Sequence, residues 1–150
     1  MPFDDRINQR AELADLRLPL VRSFLKEIRS SLHANAAEMP MADLGRRLNI
    51  VEGSDEHIKP RNIGLLFFNE TPEKFFPGTQ IDVVTFPEGV GGNKLEEKIF
   101  RGPLDQQLRD ALTYLRNSVI EEHVTKIPRK AEADRMFNYP YEALKEGLVN

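Results

Sequence analysis

The clearest pattern along the chain is helical. Leu104, Leu108, Ala111, Leu112, Leu115, Val119 and Ile120 recur every three or four positions and draw one apolar stripe. Gly102-Pro103 stands ahead of it, and proline suits a first helical turn whose N–H groups lack partners inside the helix. The spacing predicts a long helix over 103–122, with a rise of about 30 Å. A second stripe, Val21, Phe24, Leu25, Ile28 and Leu32, follows Pro19 and predicts another helix, with Arg22, Lys26, Glu27 and Arg29 turned to water. Residues 34–38 either extend that helix or fray from it. Pro40 introduces a shorter helix over 41–48, where Leu44 and Leu48 share a face. Gly45 within it costs about 1 kcal/mol relative to alanine.

Other segments carry different signals. The run Ile63-Gly64-Leu65-Leu66-Phe67-Phe68 suits a buried strand or a buried helix by pattern alone. Pro60 upstream and the Asn69-to-Pro72 stop favour a short buried helix. Residues 80–86 are rich in β-branched and aromatic side chains and predict a strand, with Ile81, Val83 and Thr85 on one face and Val84 and Phe86 on the other. The glycine-bearing stretch 87–93 reads as a hairpin loop, and 94–101 as the partner strand. A third strand is expected over 124–130 and a final helix over 141–150. Residues 3–15 read as an extended arm or a short helical turn, and 52–57 as a polar loop. The expected architecture is α+β: a small antiparallel three-stranded sheet packed against the long helix, with the N-terminal helices and the 63–68 segment closing the core. Leu108, Leu112, Leu115, Val83, Phe67 and Phe24 are the expected buried residues.

Composition narrows the class. The 150 residues suit one domain, and 40% hydrophobic with 30% charged residues argues against general disorder. The absence of cysteine excludes a disulfide scaffold, a thiolate metal site and a cysteine nucleophile; it fits a reducing compartment, so a cytoplasmic location is expected. A net charge of -3 argues against a wholesale basic nucleic-acid surface but leaves room for a local patch. The longest apolar run is too short to span a bilayer, and the acidic opening is no secretory signal, so no membrane partner is expected.

Candidate chemistry is sparse. Gly89-Val90-Gly91-Gly92-Asn93-Lys94 lacks the Gly-Lys-Ser/Thr ending of a phosphate loop and leads into a strand, so it reads as a hairpin loop. His33, His57 and His123 do not fall at metal-ligand spacing, and no metal site is expected. No Gly-x-Ser-x-Gly elbow surrounds any serine. Arg46, Arg47, Lys59 and Arg61 form a weak basic cluster and are the candidate nucleic-acid contacts. The two short helices near them are joined by too long a connection for a helix-turn-helix, and the second is too apolar to lie in a major groove. Glu146 and Asn150, four apart, share a helix face; a carboxylate and a carboxamide so placed suit water activation and Mg²⁺ ligation at a phosphoryl-transfer site, although by themselves such pairs are common on solvated helix surfaces.

Four segments, taken in order and spacing, carry a family likeness. They are Lys59-Pro60-Arg61-Asn62-Ile63-Gly64-Leu65-Leu66-Phe67-Phe68, then Pro72-Glu73-Lys74-Phe75-Phe76-Pro77-Gly78, then Phe100-Arg101-Gly102-Pro103-Leu104, then Tyr139-Pro140-Tyr141-Glu142-Ala143-Leu144-Lys145-Glu146-Gly147-Leu148-Val149-Asn150. With the opening Pro2-Phe3-Asp4-Asp5-Arg6, the chain resembles, over nearly its whole length, the bacterial RecG-related ATP-dependent DNA helicase proteins, also described as transcriptional regulators. The resemblance implies a Schlafen-type AlbA domain upstream, a middle α+β segment like this one, and a divergent GHKL-type ATPase region opening with a Tyr-Pro…Glu-x-x-x-Asn helix. It implies a water-activating role for Glu146 and Mg-ATP ligation for Asn150 in a full-length parent, with no cofactor in this fragment. The Ala and His-Arg that follow in the family, and an Asp-x-Gly-x-Gly segment, are not present in this sequence.

The expected division is a regulatory or coupling domain over 1–138 and the first helix of a truncated ATPase region over 139–150. The expected function is a non-catalytic domain that couples the remaining domains of the parent chain, with a direct DNA-binding domain on the local basic patch as the alternative.

Overall fold

The computed structural model describes residues 1–120. Five α-helices run over Leu18–Glu27 (α1), His33–Ala36 (α2), Met41–Arg47 (α3), Asn62–Phe68 (α4) and Leu104–Leu115 (α5). Four strands span Val51–Glu52 (β1), Lys59–Pro60 (β2), Ile81–Thr85 (β3) and Glu96–Phe100 (β4). They form two separate two-stranded antiparallel sheets, β1 with β2 and β3 with β4.

Two sequence features end helices here in the same way. After α1, Arg29 takes a left-handed φ of 55°; its N–H donates to the Lys26 carbonyl and that of Ser30 to the Leu25 carbonyl. After α3, Asn49 takes a φ of 58°, with Asn49 N–H on Arg46 O and Ile50 N–H on Gly45 O. Both are Schellman closures, which satisfy carbonyls the helix leaves open. Asparagine tolerates that conformation, whereas at Arg29 it is less common. The second closure leads directly to the buried Ile50 and Val51.

That core joins α1, α3, α4 and β1. Val21, Phe24, Leu25, Leu44, Ile50, Val51, Leu65, Phe67 and Phe68 are buried together. Phe24 meets Phe67 and Phe68 edge-on, with ring centroids 6.5 and 5.5 Å apart. Gly64 lets α4 sit close: a Cβ there would lie 3.0 Å from Ile50 Cβ and 3.1 Å from Leu16 Cδ2.

The N-terminal arm seals the start of α4. The Asn62 N–H donates to Arg6 O and the Ile63 N–H to Asp4 O, so two orphan donors of the helix are satisfied by the arm. The buried Asn62 amide donates to Phe3 O and its oxygen accepts from Asn8. Ala11 and Leu16 then enter the core.

The structure corrects several expectations. There is no three-stranded sheet on a long helix: β3 and β4 pair only with each other among the described residues, and the expected strand 124–130 lies outside them, as does the helix 141–150. The α5 helix ends at Leu115, and Arg116–Ile120 continues as a wider π-type turn rather than as α-helix. The expected loop over 52–57 is flanked by an unforeseen small sheet, β1–β2, closed at Gly53 with φ 103°. Of the six expected core residues, Phe24 and Phe67 are buried, whereas Val83, Leu108, Leu112 and Leu115 are only half-buried. The largest apolar cluster therefore lies in the N-terminal part, where α1, α3 and α4 cover one another, and not beneath α5. The arm over residues 3–15 combines both readings: it bridges Ile7 to Arg61 and ends in a 3₁₀ turn at Leu13–Asp15.

Candidate interaction surface

Of the residues singled out for chemistry, some bond within the fold, some lie on its surface and some fall outside the described residues. Arg46 pairs with Asp55 at 2.9 Å. The Lys59 ammonium donates to Ala11 O and to Glu12, at 3.0 and 2.7 Å, and its side chain is only 23% exposed. Arg61 donates to Asp5 O at 2.7 Å and faces Glu52 at 3.6 Å, with 15% of its side chain exposed. Lys59 and Arg61 thus tie the N-terminal arm and β1 to the start of α4. Arg47 is exposed at the end of α3. Glu146 and Asn150, and with them the expected 139–150 unit, lie outside the described residues. Among the described residues, no group of three or more His, Asp or Glu side chains could hold a metal ion, and no helix is long and apolar enough to cross a membrane.

The feature that stands out instead is the β3–β4 hairpin. Its register pairs Ile81 with Phe100, Asp82 with Ile99, Val83 with Lys98, Val84 with Glu97 and Thr85 with Glu96. Opposed residues share a face, and faces alternate along each strand. The inner face therefore carries Ile81, Val83, Thr85, Glu96, Lys98 and Phe100, and it meets α5, where Phe100 packs on Tyr114 with ring centroids 5.8 Å apart. The outer face carries Asp82 and Val84 of β3 and Glu97 and Ile99 of β4, while Phe86 and Leu95 flank the two strands at the loop end, where Phe86 also borders the cleft described below. Val84 is 46% exposed, Phe86 42%, Leu95 60% and Ile99 39%. Four apolar side chains turned to water on one small hairpin are a mark of an interaction surface.

The hairpin is held to the rest of the fold at its neck. Gln107, fully buried on α5, donates from its amide to Thr79 O at 3.1 Å and to Gly102 O at 2.8 Å. Those carbonyls belong to the chain entering β3 and the chain leaving β4, so one side chain clamps both crossings. Two carbonyl acceptors also fix the orientation of the amide. At the tip, Thr85, Phe86, Pro87, Glu96, Tyr114 and Asn117 line an open cleft of about 650 Å³ between the hairpin and the end of α5.

The helix is in turn pinned to α1. Arg109 pairs with Glu27 of α1 and lies 3.9 Å from Asp105 one turn earlier. Burial pushes the Asp105 carboxyl above the usual carboxylate range; Arg109 and two backbone N–H donors oppose that rise without cancelling it, and Glu27 adds to it.

The sequence reading located the hairpin and the two faces of β3 but did not weigh the outer face as a site. The signal was present: Val84, Phe86, Leu95 and Ile99 have one parity in two strands that flank a short loop.

Comparison with known proteins finds no matching family model, no matching curated protein and no matching solved structure. The likeness to RecG-related helicase proteins finds no support in these comparisons. The ATP binding, DNA binding and role in transcription regulation that it implied are withdrawn with it.

Proposed function

We propose that this chain is a non-catalytic coupling module that holds another protein segment at the β3–β4 hairpin. The observation that carries the reading is the exposed apolar surface of the hairpin, with Val84 and Ile99 on the face turned away from α5 and Phe86 and Leu95 exposed at its loop end. A surface of this kind costs solubility unless something covers it for part of its working life. The separation of roles supports the reading too. The N-terminal core holds the fold together, and the hairpin, clamped by Gln107, presents side chains that the fold does not use.

A displayed random-peptide library panned against the full chain tests this. Selected peptides should bind the parent chain and lose binding to the double variant Val84→Asn, Leu95→Asn, while both proteins melt at the same temperature. Selected peptides that bind the double variant equally well would place the interface elsewhere and remove the proposal.

A further inference from the structure

We infer that the segment taken up at the hairpin is an extended one that adds as a strand along β3, with Lys or Arg alternating with apolar side chains. The inference rests on the coupling reading above and gives it a partner chemistry.

Three observations lead to it. The first is the state of the sheet. Two strands alone are marginal, and here one face is covered by α5 while β3 has no second neighbour among the described residues. The second is the contrast between the two edges. β4 reads Glu96-Glu97-Lys98-Ile99-Phe100, and charged side chains of that density discourage further pairing. β3 reads Ile81-Asp82-Val83-Val84-Thr85, with four β-branched residues, one charge and neither lysine nor proline. Its outward backbone N–H and C=O groups are the better template for an added strand.

The third observation is the charge pattern. Asp82 and Val84 follow one another on the outer face, spaced roughly 6.6 Å apart as alternate residues of a strand are, and Phe86 comes next along the chain. Glu97 lies across from Val84, so the four outer-face positions within the strands carry two acids and no base; Arg101, one residue past β4, donates to Gln80, whose amide in turn donates to Asp82. Lys98, the one cation of the two strands, is on the inner face, with its ammonium 6.0 Å from the Phe100 ring centroid. A strand beside β3 would set one of its side chains across from Asp82 and others across from Val84 and Phe86. Opposite charge at the first and apolar groups at the other two make favourable cross-strand pairs; like charge at the first is unfavourable. A basic residue across from Asp82 is therefore the favourable choice for the added strand.

Two synthetic peptides of equal length test this on the full chain. Each alternates threonine with a second set of residues. In one the second set is lysine, valine and isoleucine; in the other glutamate replaces lysine. Fluorescence anisotropy should show the lysine peptide binding at least about tenfold more tightly at low salt. The advantage should shrink as ionic strength rises, and Asp82→Lys should reverse the preference. Hydrogen exchange should slow at amides of Ile81–Thr85 on binding. Equal affinity for both peptides, or preference for the glutamate peptide, would overturn the charge argument. Binding without protection of β3 would overturn strand addition. Dimerisation of the free chain by sedimentation, lost in Asp82→Lys or Leu95→Asn, would assign the face to a second copy instead. If neither peptide binds while library-selected ligands still require Val84 and Leu95, this inference falls and the coupling reading stands. If those ligands also ignore Val84 and Leu95, both fall.

Discussion

The N-terminal body and the β3–β4 hairpin solve the same problem with different means. The body buries its apolar side chains against three helices and spends its polar groups on closing the seams: Asn62, Asn69, Lys59 and Arg61 all reach backbone carbonyls across long stretches of chain. The hairpin has one covered face and one wet face, and it is attached chiefly through a helix and a single glutamine. In the body, side chains serve the fold. On the outer face of the hairpin they do not, which is why that face is free to serve something else.

The largest effect expected from breaking this contrast is in the body. Phe68→Ala removes a fully buried ring that packs on Phe24 and Phe67, and it should cost roughly 3–5 kcal/mol in chemical denaturation. A cost near zero would mean that the core has been misplaced. Gly64→Ala follows. Its new methyl would meet Ile50 and Leu16 at 3.0–3.1 Å, and overpacking of that kind costs about 1–3 kcal/mol.

Gln107→Ala should act on the other side of the comparison. It leaves the Thr79 and Gly102 carbonyls without their donor, a loss on the order of 1–3 kcal/mol. Its signature is regional: amide exchange in β3 and β4 should accelerate while that of α1 and α4 holds. Uniform acceleration would show that hairpin and body open as one unit. By contrast, Leu95→Asn should change stability by no more than about 0.5 kcal/mol, as an exposed site does.

The smallest effect concerns Asp105. Its carboxyl is raised by burial, so the folded chain holds that proton more tightly than the unfolded chain does. The contribution to stability is then most favourable at acid pH. It declines as pH climbs from the ordinary carboxylate value, about 3.9, through the raised folded value, and stays lost at neutral pH. Asp105→Asn should therefore raise the melting temperature slightly at pH 7 and leave it nearly unchanged at pH 3. The same shift at both pH values would assign the effect to something other than titration.

Much of the fold was legible because local signals were strong. Pro40, the apolar run at 63–68 and the alternation at 81–85 each mark an element that exists where the pattern placed it. The sheet β1–β2 was not legible, since two-residue strands leave too short an alternation to detect and depend on the arm and α4 for support. The α5 stripe misled for a different reason. Periodicity shows which side of a helix is apolar, not how much of it a neighbour covers, and Leu108, Leu112 and Leu115 are half-buried. For the basic residues, the sequence shows charge but not the partners that charge meets. Sequence lists Lys59 and Arg61 as charges, whereas the folded chain employs them as donors to Ala11 and Asp5.

By itself, the sequence determined where the longer helices and the hairpin strands lie and which hairpin positions are apolar, because those follow from spacing and steric preference within a few residues. Only the tertiary structure decided that one apolar parity, Ile81 and Val83, rests against α5 while the other, Val84 and Ile99, faces water. Burial depends on what arrives from distant parts of the chain, and a strand has no local means of telling its two faces apart.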